Sequence, residues 1–265
     1  MKSIVTLTMN PTIDAGFEVQ RLHETHKMRT LSERYVPGGG GINVARVFVR
    51  LGGNARCCYL SGGATGHALD GLLDELEVLR TRIPIARNTR IAVNTLERET
   101  GKEFRIVPAG PAVSEAEWQA CIDAVVTLPG DILVASGSLP PGVPSDFFAR
   151  LAASAKASGV PLVLDTSGEA LRQGLDHGGI WLVKPSLGEL SNAVGRELES
   201  VEDIAAAGME IVASGQSEMV AVTLGGRGAL LARQEGTSFL PALNIQAKSA
   251  VGAGDSFLAA MLFKL

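Results

Sequence analysis

The sequence predicts an α/β fold: a doubly wound, mostly parallel sheet flanked by helices, with a small second β-sheet set against it as a lid. Three observations predict it. Short β-branched or apolar runs alternate with helix-length stretches along most of the 265 residues, the order that builds a parallel sheet. Those runs end repeatedly in polar, glycine-rich loops, which in such sheets form the ligand-binding edge. One stretch, 89–107, breaks the order with a hairpin of period-two alternation. The range 1–265 reads as one domain, with the lid drawn from about 12–36 and 86–108.

Composition narrows the function classes. Hydrophobic residues make up 46% and charged residues 20%, with a net charge of −4, a globular balance that argues against a nucleic-acid binder. No apolar run reaches the roughly 18 residues of a membrane span, and the polar turn at Asn10-Pro11-Thr12 leaves no signal-peptide core. Cys57, Cys58 and Cys121 form no Cys-x-x-Cys pair and read as buried, reduced thiols of a cytoplasmic protein. His23 and His26 flank Glu24, but no third ligand cluster follows to make a metal site.

In chain order, 4–8 is a β-rich run expected as a central strand. Asp14 follows it, either a carboxylate at the sheet's ligand edge or a turn aspartate. Pro37-Gly38-Gly39-Gly40-Gly41-Ile42-Asn43 precedes an amphipathic helix expected over 42–51. Four glycines together point to a backbone that must approach something closely, and Asn43 could bond a polar ligand. A strand is expected over 55–60, a loop over 61–66 and a helix over 67–76. Arg90 and Arg105 lie on the two arms of the hairpin; with Lys27 and Arg29 they offer four cations for a phosphate, or else a solvated face. Gly101-Lys102 is no Walker P-loop, because Glu103 stands where Ser or Thr is needed.

Ser114-Glu115-Ala116-Glu117 is a capping box opening a helix to about 127. A strand over 132–135 ends in Ser136-Gly137-Ser138, and Ser145 is the expected cap of the next helix. Strands follow over 162–165, 181–184 and 220–224, with a helix over 202–214. No Gly-x-Gly-x-x-Gly occurs, which weakens a nicotinamide oxidoreductase reading.

Near the end stands Val251-Gly252-Ala253-Gly254-Asp255, followed by an apolar run. Glycines let successive N–H groups converge, and a helix starting there favours an anion at the same spot. A carboxylate beside such donors suits phosphoryl transfer to an alcohol, with Asp255 as base. Its bland alternative is a glycine turn with an aspartate cap.

Taken together, Asn10-Pro11-Thr12-Ile13-Asp14, the 37–46 stretch, the 136–142 loop, Lys184-Pro185-x-x-x-Glu189 and 251–255 resemble the ribokinase-like sugar kinases of the phosphofructokinase B family, in order and over nearly the whole chain. The resemblance implies transfer of the γ-phosphoryl of MgATP to the C1 hydroxyl of fructose 6-phosphate. Tagatose-6-phosphate kinase and 1-phosphofructokinase activity are the alternatives. Relatives with those activities usually carry Lys where Gly40 stands. The resemblance makes Asp255 the base, with the N–H groups of Gly252, Ala253 and Gly254 holding the transferred charge. It gives Asp14, Gly39, Asn43 and Ser138 to sugar hydroxyls, and Lys27, Arg29, Arg90 and Arg105 to the sugar phosphate. Lys184, Ser186, Thr223, Gly225 and Gly228 would meet the nucleotide, Glu189 magnesium through water, and the Ser249 and Val251 carbonyls a potassium ion. It also implies a homodimer formed through the lid. Two departures matter: Ser186 replaces the family's asparagine, and only ten residues follow Asp255, where relatives continue with a segment that closes the adenine pocket. A catalytically inactive sugar-phosphate sensor on the same fold is the competing reading.

Overall fold

The computed structural model describes residues 2–244 and 252–265. The elements run β1 (Ser3–Thr8), β2 (Thr12–Val19), β3 (Ser32–Gly38), α1 (Gly40–Arg50), β4 (Asn54–Ser61), α2 (Gly63–Asp74), β5 (Leu79–Pro84), β6 (Arg90–Glu97), β7 (Lys102–Ile106), α3 (Glu115–Val125) and β8 (Ile132–Ser136). They continue α4 (Phe147–Ala157), β9 (Leu162–Asp165), α5 (Gly168–His177), β10 (Ile180–Val183), α6 (Leu187–Val194), α7 (Val201–Ala213), β11 (Ser217–Thr223), β12 (Gly228–Arg233), β13 (Gly236–Pro241) and α8 (Ala253–Lys264).

Nine strands form the large sheet in the order β13-β12-β11-β10-β9-β8-β1-β4-β5. All neighbours from β11 to β5 pair parallel; β12 and β13 close one edge antiparallel. Both faces of its central strands, β1, β4 and β8 to β11, are buried, which is why they read as continuous apolar runs. In β8, Leu133 and Ala135 enter one core cluster while Ile132 and Val134 enter the other. The first cluster is covered by α3 to α7, the second by α1, α2 and α8. The chain leaves β1 for β4 on one side and returns to β8 on the other. That reversal opens a crevice at the carboxyl ends of the central strands.

The second sheet has the order β3-β2-β6-β7. Its register puts Arg90 beside Thr12, and Asn94 beside both Gly16 and Arg105. Asp14, Arg90 and Arg105 therefore share one face, while Phe17, Tyr35, Phe104 and Ile106 share the other.

Several expectations need correction. Asp14 lies inside β2 of the small sheet, not in a loop after β1. Helix α1 begins at Gly40, because Thr8 Oγ1 accepts the Ile42 N–H at 3.0 Å and caps the turn from outside. Helix α2 begins within the expected 61–66 loop, where Asn88 Oδ1 accepts the Ala64 N–H at 3.1 Å. Asp146, not Ser145, stands at the cap position of α4, and its carboxylate binds Arg150 instead of the backbone. Helices α5 and α6 and the β12–β13 hairpin were not expected at all.

Candidate functional site

The start of α8 carries the most suggestive chemistry. Gly252 sits at its cap position with φ 75°, left-handed backbone that favours glycine. Among the described residues no side chain caps the helix, so its first N–H groups are open to a ligand. Asp255, in the first turn and half-buried, accepts a hydrogen bond at Oδ2 from Asn43 Nδ2 at 2.8 Å. Burial pushes its carboxyl above the ordinary aspartate value of 3.8, against the pull of that amide, Lys184 and Arg46.

Opposite stands the glycine run. A Cβ at Gly40 would lie 2.1 Å from Ser136 Oγ, and one at Gly38 would lie 2.1 Å from Asp14 Oδ2. Gly39 holds φ 124° against the Thr8 methyl. The glycines thus admit the side chains of neighbouring elements, the close approach that their clustering implied. Burial raises the Asp14 carboxyl, while Arg90 and Arg105 draw it back down. Arg90 donates to the carbonyls of Asn10, at 2.7 Å, and Pro108, at 2.9 Å. Overpacking of this kind typically costs about 1–3 kcal/mol, so Gly38→Ala should destabilise the fold by that amount as Asp14 is displaced, which denaturant titration will check.

Three further strand ends complete the crevice. Lys184, only 5% exposed, follows β10 and pairs with Asp165 at the end of β9, Nζ to Oδ1 2.9 Å. Ser136 Oγ donates to the other Asp165 oxygen at 3.0 Å. Lys184 Nζ lies 3.5 Å from where a Cβ on Gly254 would be, so this ammonium sits under the first turn of α8. Ser186 and Glu189 form a capping box: Glu189 Oε2 accepts the Ser186 N–H at 2.7 Å, and Ser186 Oγ accepts the Glu189 N–H at 3.4 Å. Ser186 also bridges to Thr223 at the end of β11. A cleft of about 260 Å³ is lined by Gly40, Ser136, Ser138, Asp165, Glu189 and Asp255. A wider groove of about 630 Å³, bordered by Arg90, shares Ser138 and Thr166 with it.

Residues 4–265 match the model of the pfkB family carbohydrate kinases. The chain belongs to this family. It is 42% identical over 262 residues to ATP-dependent 6-phosphofructokinase isozyme 2 of Mycobacterium tuberculosis H37Rv, covering 97% of this chain and 76% of the relative. The Escherichia coli K12 isozyme 2 is 39% identical, covering 100% and 86%. A solved structure of the E. coli phosphofructokinase-2 with fructose-6-phosphate superposes with a TM-score of 0.93 at 38% identity, covering 100% of this chain and 87% of that one. Other structures of the same E. coli protein hold potassium or form a tetrameric inhibited state. The 1-phosphofructokinase of Bacillus subtilis, at 33%, and the D-tagatose-1-phosphate kinase of Bacillus licheniformis, at 32%, are similar over 98% of this chain.

In this pfkB kinase the crevice joins Asp255, Gly254, Gly40, Asn43, Ser138, Lys184 and Glu189, with Asp14, Arg90 and Arg105 on the facing side of the small sheet. Lys27 and Arg29 are not brought to it: they lie exposed between β2 and β3, without an ion pair among the described residues. Gly225 and Gly228 flank a short turn after β11; a Cβ on Gly228 would strike Leu240 O at 2.0 Å, so that glycine is required by β13. Ser249 and Val251 lie outside the described residues. Sequence reasoning missed Asp165 and Arg46. Asp165 has a legible signal, a lone carboxylate ending the apolar run Leu162-Val163-Leu164; Arg46 looks like any cation on a helix face.

Proposed function

We propose that this kinase transfers the γ-phosphoryl of MgATP to the C1 hydroxyl of fructose 6-phosphate. One observation carries the reading: a half-buried carboxylate, Asp255, held by Asn43 in the first turn of a helix that no side chain caps among the described residues, at the mouth of a polar cleft. A base there takes the alcohol proton while the Gly252, Ala253 and Gly254 N–H groups hold the charge on the migrating phosphoryl. Asp14, Gly39, Asn43 and Ser138 hold sugar hydroxyls. Arg90 and Arg105, on the same face as Asp14, fork the sugar phosphate. The names of the relatives at 39% and 42% identity support 6-phosphofructokinase over the other two activities. So does Gly40, since any side chain there would strike Ser136.

Lys184 is the nucleotide-phosphate cation, and Ser186, Thr223, Gly225 and Gly228 border the nucleotide. The Ser186–Glu189 capping box closes the first turn of α6 here, where the family pattern has asparagine in place of Ser186. Among the described residues no group of three or more His, Cys, Asp or Glu could hold a metal ion. Glu189, with Asp165 nearby, fits a magnesium ion that keeps its water and phosphate ligands; bound there, it would neutralise phosphate charge. Ser249 and Val251 are kept as potassium ligands by resemblance.

A homodimer through the small sheet is supported by its outer face, where Tyr35, Phe104 and Ile106 are 47%, 43% and 67% exposed. Lys27 and Arg29 would then serve the partner's site. Three buried free cysteines fit a cytoplasmic location, and no helix among the described residues is long and apolar enough to cross a membrane.

A coupled ADP-release assay across fructose 6-phosphate, fructose 1-phosphate and the tagatose phosphates tests the reading. Fructose 6-phosphate should give the highest kcat/KM; a higher value for another sugar would reassign the activity. Binding without turnover would favour the inactive sensor. Charge-assisted hydrogen bonds contribute about 1.5–3 kcal/mol, so Arg90→Ala should raise KM for fructose 6-phosphate by about 10- to 100-fold, with KM for MgATP unchanged.

A further inference from the structure

Arg46 lies half-buried on α1, three residues beyond Asn43. Its Nη2 donates to Asn43 Oδ1 at 3.2 Å, and Asn43 Nδ2 donates to Asp255 Oδ2 at 2.8 Å. An amide has one accepting end and one donating end. Turned over, the Asn43 amide would aim its oxygen at a carboxylate and its NH2 at a guanidinium, exchanging two charge-assisted hydrogen bonds for two repulsive contacts. Without the guanidinium, nothing on α1 holds the oxygen end of the amide, and its orientation rests on the Asp255 carboxylate alone.

We infer that Arg46 is a positioning residue: by occupying Asn43 Oδ1 it commits the amide NH2 to Asp255 Oδ2 and leaves the other carboxylate oxygen for the sugar alcohol. The charged groups around the base agree with a relay. Lys184 and Asp165 face Asp255 from the ends of β10 and β9, and Arg46 from α1. Arg46 in turn feels Asp255 on α8 and Asp14 on β2 as attractive charges, and Arg34 on β3 and Arg50 on α1 as repulsive ones. Desolvation lowers its pKa more than any of these charges, yet a guanidinium stays protonated through the working range. A half-buried, permanently charged donor suits the task of fixing an amide.

The inference rests on the kinase reading above, and a kinetic double-mutant cycle separates the two. Wild type, Arg46→Met, Asn43→Ala and the double variant are assayed for kcat and for both KM values. Arg46→Met should lower kcat about tenfold, the effect of one charge-assisted hydrogen bond, and leave KM for MgATP unchanged. In the Asn43→Ala background the same change should lower kcat less than about twofold, because the relay is already broken. The full tenfold loss in that background would overturn the inference, as would a change confined to KM for fructose 6-phosphate, which would put Arg46 on the sugar itself. Arg46→Gln covers the case in which methionine unfolds the chain. It keeps a neutral donor, and it should retain most of kcat; a loss of tenfold or more would mean that charge, not orientation, is the contribution. A wild type without turnover would sink the kinase reading and this inference together, whereas an active wild type with additive variants sinks this inference alone.

Discussion

Asp255→Asn should lower kcat by about 10²–10⁴-fold, the usual contribution of a positioned proton acceptor, while MgATP and sugar-phosphate affinity persist. The asparagine can still accept from Asn43, so the site keeps its shape and loses only its base. A second outcome follows from the same geometry. The Asp255 carboxyl is held above its ordinary 3.8 by burial. A carboxyl whose folded pKa is raised contributes stability at low pH that is lost as pH rises through the folded value. At neutral pH the ionised Asp255 therefore opposes folding, and Asp255→Asn should raise Tm. The gain should vanish below pH 3.8, where aspartate is protonated both folded and unfolded. For the wild type, the acid limb of kcat/KM should lie above pH 3.8, because the base must shed a proton that burial retains. A variant with undiminished turnover would remove Asp255 from the mechanism; one with unchanged Tm would mean that Lys184 and Arg46 offset its burial in full.

The physics that hides some of this site from the sequence is uneven. Asp255 is legible because glycines and a carboxylate at a helix start carry a local chemical meaning. The parallel sheet is legible because burial of both faces leaves continuous apolar runs. The β12–β13 hairpin is not, since Gly236–Pro241 is an edge strand with almost every residue exposed, and exposure removes the alternation that marks a strand. Helix α6 had a signal that was given to another use. Ser186-Leu187-Gly188-Glu189 is a capping box by spacing, and reading it only as a phosphate and metal motif hid the helix it starts. Asp165 pairs with Lys184, 19 positions on, and Arg46 reaches Asp255 only through Asn43, whose bond to that aspartate spans 212 positions. No periodicity encodes such pairings, so only the fold reveals them.

The Lys184–Asp165 pair shows how far stability and function share the same atoms. Lys184→Met should destabilise the protein by about 3–5 kcal/mol, because removing one partner of a buried ion pair strands the other charge. Among the described residues Asp165 would keep only the Ser136 hydroxyl, inside a site whose burial already raises its pKa. With the lysine gone, that pKa climbs further. A raised carboxyl pKa means stability lost as pH rises, so the deficit should be largest at neutral pH and shrink as acid protonates Asp165. Denaturant titrations at several pH values measure this directly. Lys184→Met combined with Asp165→Asn should recover most of the lost stability, since no charge is left unpaired. Turnover should not return with it: on the proposed mechanism the ammonium beneath the first turn of α8 also supports the N–H groups that would receive the phosphoryl group, and removing such a group typically costs about 10²–10³ in kcat. A stable double variant with restored kcat would reduce Lys184 to a structural ion and move nucleotide-phosphate recognition elsewhere in the crevice.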